Sequence, residues 1–174
     1  MAEREGDRES LATAEPPPLA ADDHVRGEGP LVIVYADLDC PRCAGAWRRI
    51  RALPLRVCAR HFPLSAKRPR SPFLHAAAEA VALQDRGSFW SFWDDLLDDR
   101  AHNDDPHLWA RVEALGLDLD RFESDRRSAE VAERVRRDFR DGIRAGITGT
   151  PGVFVDGTLV GEPLEAELDR IAGV

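Results

Sequence analysis

Leu31-Val32-Ile33-Val34-Tyr35, broken by Asp37-Leu38-Asp39 and followed at once by Cys40-Pro41-Arg42-Cys43, decides the fold class of this chain. The first five residues form a short apolar run rich in β-branched side chains, the pattern of a strand buried on both faces. Pro41 sits where a helix can begin, because the first helical turn has no use for the missing N–H. Ala44, Trp47, Ile50 and Arg51 continue the helical stretch as far as Pro54. Leu55 to Phe62 then reads as a second strand, with Val57 and Ala59 alternating against Arg56, Cys58 and Arg60. Strand, C-x-x-C at a helix start, helix and strand make a βαβ unit, for which a parallel sheet is expected.

Downstream the texture changes. From Pro72 to about Gly146 the spacing is helical. Phe73 to Gln84 is alanine-rich and stops at Gly87, and Phe89, Phe92, Trp93, Leu96 and Leu97 form an amphipathic stripe. Asp105 and Pro106 resemble an N-cap and its following proline, with Trp109, Val112 and Leu115 running to Gly116. Ser128 is placed to cap a last long helix whose Val131, Val135, Phe139 and Ile143 recur every four residues. These aromatic stripes are read as packing core. Extended structure returns at Gly152-Val153-Phe154-Val155, which Asp156-Gly157 turns back into Thr158-Leu159-Val160. Glu162 to Ile171 can close the chain as a helix.

Upstream, residues 1–22 carry Glu3, Glu5, Asp7, Glu9, Glu15, Asp22 and a triple proline, with no aromatic residue. They are predicted to be a disordered acidic tail ahead of one domain over 23–174. A chain of 174 residues suits one such domain. The net charge of −8 and the interleaving of Arg with Asp and Glu argue against a nucleic-acid or membrane partner. No apolar run is long enough for a membrane span. Met1 to Ser10 lacks the pattern of a signal peptide, so a cytoplasmic location is expected.

The chemistry is expected at the cysteines. A cysteine at a helix N-terminus meets unpaired backbone N–H groups and the positive end of the helix dipole, which favour the nucleophilic thiolate. Cys40 holds that position and Cys43 follows one turn later. Cys40 is therefore assigned the attack on a substrate disulfide, and Cys43 the resolution of the mixed disulfide. Arg42 supports Cys40 further if its guanidinium folds toward the sulfur, and not if it turns to solvent. The rival is a zinc half-site. It is disfavoured for lack of ligands, since only Cys58 remains and, among His24, His61, His75, His102 and His107, the one pair of compatible spacing, His102 and His107, lies in a polar loop far along the chain. No metal and no organic cofactor is expected. Cys58 reads as a small buried residue.

Taken together, these features resemble the DsbA-like branch of the thioredoxin superfamily. The likeness runs through Asp23-His24-Val25, Cys40-Pro41-Arg42-Cys43, Arg60-His61-Phe62-Pro63-Leu64, Phe89-Trp90, Leu115-Gly116-Leu117-Asp118 and Gly146-Ile147-Thr148-Gly149-Thr150-Pro151, ending at the Asp156-Gly157 hairpin. It covers residues 23–172. It implies an α/β thioredoxin-like fold with a helical insert, about 72–146, between the second strand and the C-terminal hairpin. It also implies that Pro151 is cis and packs against the cysteines as a supporting residue beside Pro41 and Arg42, with Thr150 and Pro151 contacting substrate. Arg42 stands where the family often has His or an aromatic residue, and Gly152-Val153 where Thr-Phe is more usual.

The function expected is thiol–disulfide exchange with protein or peptide thiols and disulfides, supplied by an unidentified electron donor or acceptor. In a reducing cytoplasm that means a reductase or isomerase. The alternatives are a redox-inert peptide-binding module of the same fold, or a glutathione-dependent isomerase or transferase. Retention of both Cys40 and Cys43 disfavours each.

Overall fold

A computed structural model describes residues 15–174. Its centre is a five-stranded sheet in the order β1-β3-β2-β4-β5: β1 (His24–Arg26), β2 (Leu31–Ala36), β3 (Arg56–His61), β4 (Gly152–Val155) and β5 (Thr158–Leu159). β2 and β3 are parallel, with Leu31 opposite Arg56 and Ala36 opposite His61. The helix α1 (Pro41–Ala52) makes their crossover, as the βαβ pattern requires. β4 runs antiparallel to β2, placing Gly152 opposite Tyr35.

The period-two alternation along β2 separates two cores. Val32, Val34 and Ala36 face one side, where they join Val57, Ala59 and Val153 beneath Trp47 of α1 and the aromatic residues of the insert. Ile33 and Tyr35 face the other side with Cys58, Phe62, Phe154 and Ile147. Cys58 is fully buried in this second cluster, and burial first of all pushes its thiol up to about 12.

The helical insert consists of α2 (Ser71–Gln84), α3 (Ser88–Asp98), α4 (Asp105–Ala114), α5 (Leu119–Asp125) and α6 (Ala129–Arg144). Phe89, Phe92, Trp93, Leu96 and Leu97 are all buried on α3. Ser128 caps α6 by accepting the Val131 N–H. The cap of α4 lies one residue earlier than the sequence suggests. Asp104, not Asp105, has the extended backbone of a cap, and its carboxylate accepts the His107 N–H. α6 also departs from its apolar stripe. Val131 and Val135 are buried, but Ile143 is 52% exposed, and the inward face is shared with Arg134 and Asp138. Gly142 lets α6 approach the sheet, since a Cβ there would come within 2.7 Å of the Phe62 ring. After the Asp156-Gly157 turn, where both residues have positive φ, α7 (Leu164–Ala172) ends the chain.

Residues 1–14 of the acidic tail lie outside the described residues. Residues 15–22 contain no helix or strand but rest on the domain. Pro16 is buried, Leu19 packs on the second cluster, and Asp22 accepts from Arg134 and Arg137.

Candidate active site

Two chain segments meet at the carboxyl end of β2. The first is the turn Asp37-Leu38-Asp39 leading into α1, with Cys40 as N-cap residue in extended conformation and Pro41 in the first turn. The second is the start of β4. Because β4 is antiparallel to β2 and Gly152 lies opposite Tyr35, Thr150 and Pro151 arrive beside the helix start. The Thr150–Pro151 peptide is cis, as is Glu162–Pro163. Gly152 has no room for a side chain, because a Cβ would meet Ile147 at 2.8 Å.

Here Cys40 and Cys43 are a close pair of free thiols. Cys40 Sγ lies 3.8 Å from the Thr150 carbonyl. Cys43 Sγ accepts the Asp37 N–H at 3.4 Å. The two sulfurs differ sharply in acidity. The Cys43 thiol donates toward Cys40, and this contact above all lowers Cys40 from 9.0 to about 5, against the effect of burial. Thr150, the Cys43 backbone amide and the positive charge of Arg68 act in the same direction. Burial, and then the neighbouring Cys40, drive Cys43 far above the ordinary thiol range. One sulfur is thus favoured as the thiolate and the other as the thiol. Both are covered in the resting structure, each 1% exposed.

Arg42 takes the outward of its two expected orientations. Its guanidinium donates to Glu162 at 2.7 Å in a pair whose side chains are 72% and 71% exposed. The cation that acts on Cys40 is instead Arg68, in the loop after β3, which donates to Asp37 at 3.4 Å. Asp37 is fully buried. Its carboxylate accepts from the Asp39 and Leu64 amides and from Ser71 Oγ, tying the Cys40 turn to α2 and the β3–α2 loop. In the sequence Asp37 reads only as a strand break, and Arg68 carries no signal of its own. An acid so close before the C-x-x-C motif was the available signal for the first. The second becomes visible only through the tertiary contact.

Residues 31–171 match the family model of the DSBA-like thioredoxin domain. The chain belongs to this family. A thioredoxin-like oxidoreductase from Silicibacter pomeroyi DSS-3 shares the DSBA-like fold with a TM-score of 0.75, at 24% identity over 88% of this chain and 92% of that one. Among curated relatives, the Na(+)/H(+) antiporter NhaA of Herminiimonas arsenicoxydans is 39% identical over 153 residues. That match takes in 82% of this chain but only 24% of the antiporter's length. A probable disulfide bond formation protein D of Bacillus anthracis is 28% identical over 148 residues, covering 74% of this chain and 65% of that protein. No helix among the described residues is long and apolar enough to cross a membrane.

Proposed function

We propose that this DSBA-like domain is a dithiol–disulfide oxidoreductase in which Cys40 attacks a disulfide of a protein or peptide substrate and Cys43 resolves the product. The observation that carries this is the position of Cys40 Sγ, at the N-cap of α1, next to Cys43 and 3.8 Å from the carbonyl beside Pro151. In the first step the Cys40 thiolate forms a mixed disulfide and one substrate sulfur leaves with the electron pair. In the second, Cys43 gives up its proton, displaces the remaining substrate sulfur, and closes the Cys40–Cys43 disulfide. The substrate leaves as a dithiol and the domain is oxidised, so a thiol donor must restore it.

Stabilising the Cys40 thiolate stabilises the reduced pair and makes the disulfide a readily reduced one. In a reducing compartment such a pair stands as the dithiol, the form that reduces or isomerises substrate disulfides. The family resemblance and the closeness of the Thr150 carbonyl to Cys40 support Thr150 and Pro151 as contacts for an extended substrate peptide, with Pro41 and Arg42 as supporting residues.

The peptide-holding alternative draws on one observation, the closed surface over Cys40. Alkylation of the reduced, folded protein by iodoacetamide separates the two. The expected rate rises with pH around a midpoint of about 5 and reaches a plateau by neutrality, with Cys40 as the modified residue. The same preparation should reduce insulin disulfides in the presence of glutathione. A Cys40 that resists the reagent until the protein unfolds would sink the oxidoreductase assignment and favour the peptide holder.

A further inference from the structure

A buried chain of polar side chains leaves the active-site turn and crosses the interior, and the dithiol chemistry derived above does not use it. His75, on α2, accepts the Leu38 N–H at Nε2 over 3.1 Å, and Leu38 lies two residues before Cys40. The other nitrogen of His75 faces His61 of β3, Nδ1 to Nδ1, at 2.7 Å. His61 Nε2 meets Glu79 Oε1 at 2.5 Å, and His24 Nε2 of β1 reaches the same oxygen at 2.6 Å. All four residues are buried.

Proton counting fixes how they are arranged. A neutral imidazole carries one N–H. His75 accepts at Nε2, so its proton is on Nδ1 and is donated to His61 Nδ1. That nitrogen is then bare, and His61 keeps its proton on Nε2, where it donates to Glu79. His24 donates to the same carboxylate. Each of these contacts is satisfied by this one distribution. A further proton on His61 turns its Nδ1 into a donor. His75 must then move its own proton to Nε2, where it opposes the Leu38 N–H, donor against donor.

We propose that His75 is a positioning residue for the Cys40 turn, held in its Nδ1–H tautomer by His61 and Glu79, and that proton uptake by His61 releases the Leu38 amide. Its meaning for catalysis rests on the dithiol function proposed above. The groups around the pair come from every neighbouring element. β1 supplies His24 and α2 supplies Glu79. α6 supplies Arg134, 3.8 Å from Glu79, together with Arg137 and with Asp138, which accepts the His61 backbone N–H. Asp37 lies in the turn itself, and Phe89 and Trp93 of α3 close the remaining sides. Burial opposes a charged His61, but Glu79 outweighs it and lifts His61 above the ordinary histidine value. Burial, and then His61, hold His75 well below it. The added proton therefore goes to His61 and acts through His75.

His24, His61 and Glu79 also bring three potential ligand atoms within 4.8 Å of one another. A cation there would need both Nε2 atoms bare, would set the His61 proton against that of His75, and would face the Arg134 guanidinium. The contacts suit a proton chain better than a metal.

Nitrogen-15 spectra of the histidine side chains, followed upward in pH until the His61 signals stop moving, should identify His75 as Nδ1–H and His61 as Nε2–H. Hydrogen exchange should find the Leu38 amide protected there, with the protection factor falling roughly tenfold on acidification through the His61 titration. His75→Leu should lose that protection at every pH. His75→Gln, whose amide oxygen can accept the Leu38 N–H but which does not titrate, should keep it with no pH response. The Cys40 alkylation profile should correspondingly lose any inflection due to His61 in His75→Gln. An Nε2–H tautomer for His75 at the alkaline end, an unchanged pH response in His75→Gln, or stoichiometric Zn²⁺ binding abolished by His24→Ala would overturn the proposal. If His75→Leu does not fold, the wild-type tautomers and His75→Gln still decide it. Tautomers and amide protection are read without substrate, so their failure is distinct from a failure to reduce insulin.

Discussion

Cys40→Ser is expected to lower disulfide reduction by at least about a thousandfold, to the level of the reaction without enzyme. A serine hydroxyl in the same place does not ionise near neutral pH, so the features that favour the Cys40 thiolate have no anion to stabilise. Cys43→Ser has a different signature. Cys40 can still attack, but the only neighbouring sulfur able to displace the substrate is gone, and mixed disulfides with substrate should accumulate. The Cys43 thiol is also the largest influence lowering Cys40. Cys43→Ser should therefore shift the pH midpoint of Cys40 alkylation upward unless the serine hydroxyl replaces the lost donor. Non-reducing electrophoresis and mass spectrometry check the trapping. Equal turnover by the two variants would refute the assignment of roles.

The largest loss of stability is expected from Asp23→Ala. Asp23 and Arg60 form a pair whose side chains are 2% and 4% exposed, with Arg60 Nη2 donating to Asp23 at 2.9 Å. The same carboxylate accepts the Ala20 N–H at 2.8 Å and lies 3.4 Å from Arg134. Arg60 also holds the Tyr35 hydroxyl and the Pro18 carbonyl. Removing the carboxylate leaves a buried guanidinium with neutral partners only, which costs about 3–5 kcal/mol. For a domain of this size the melting temperature should fall on the order of 10 °C. Asp23→Asn keeps the shape and an acceptor for Ala20, so it should lose less. Urea unfolding of the reduced protein checks both. A loss below about 1 kcal/mol in Asp23→Ala would mean that water or Asp22 replaces the lost charge.

The part of the fold that positions the cysteines was legible because its signals are local. An apolar β-branched run, a proline at the first helical turn and an Asp-Gly turn each act within a few residues, and β2, α1 and the β4–β5 hairpin stand where those signals put them. The shortest elements were not legible. β1 has three residues and α5 has seven, too few for a period to emerge. The polar interior was hidden for a different reason. Asp23, Arg60, Glu79, Arg134 and Asp138 look like surface charges when each is read in its own helix or strand. They become an internal network only when β1, β3, α2 and α6 are brought together. At the site, the spacing of Cys40 and Cys43 announced a dithiol, and the resemblance pointed to Thr150 and Pro151. Spacing alone could not choose between the two orientations of Arg42, because the partner it takes, Glu162, is 120 residues away. The roles of Arg68, Asp37 and His75 likewise depend on contacts across the fold.

A sulfur made anionic at the start of α1 is expected to form a reversible bridge to its neighbour. Equilibrating the protein with graded glutathione redox buffers, then counting free thiols and locating the disulfide by mass spectrometry, tests this most directly. The expected result is one reversible two-electron transition that joins Cys40 to Cys43 and leaves Cys58 reduced. Retention of all three thiols in the most oxidising buffer, or a bridge that includes Cys58, would contradict it.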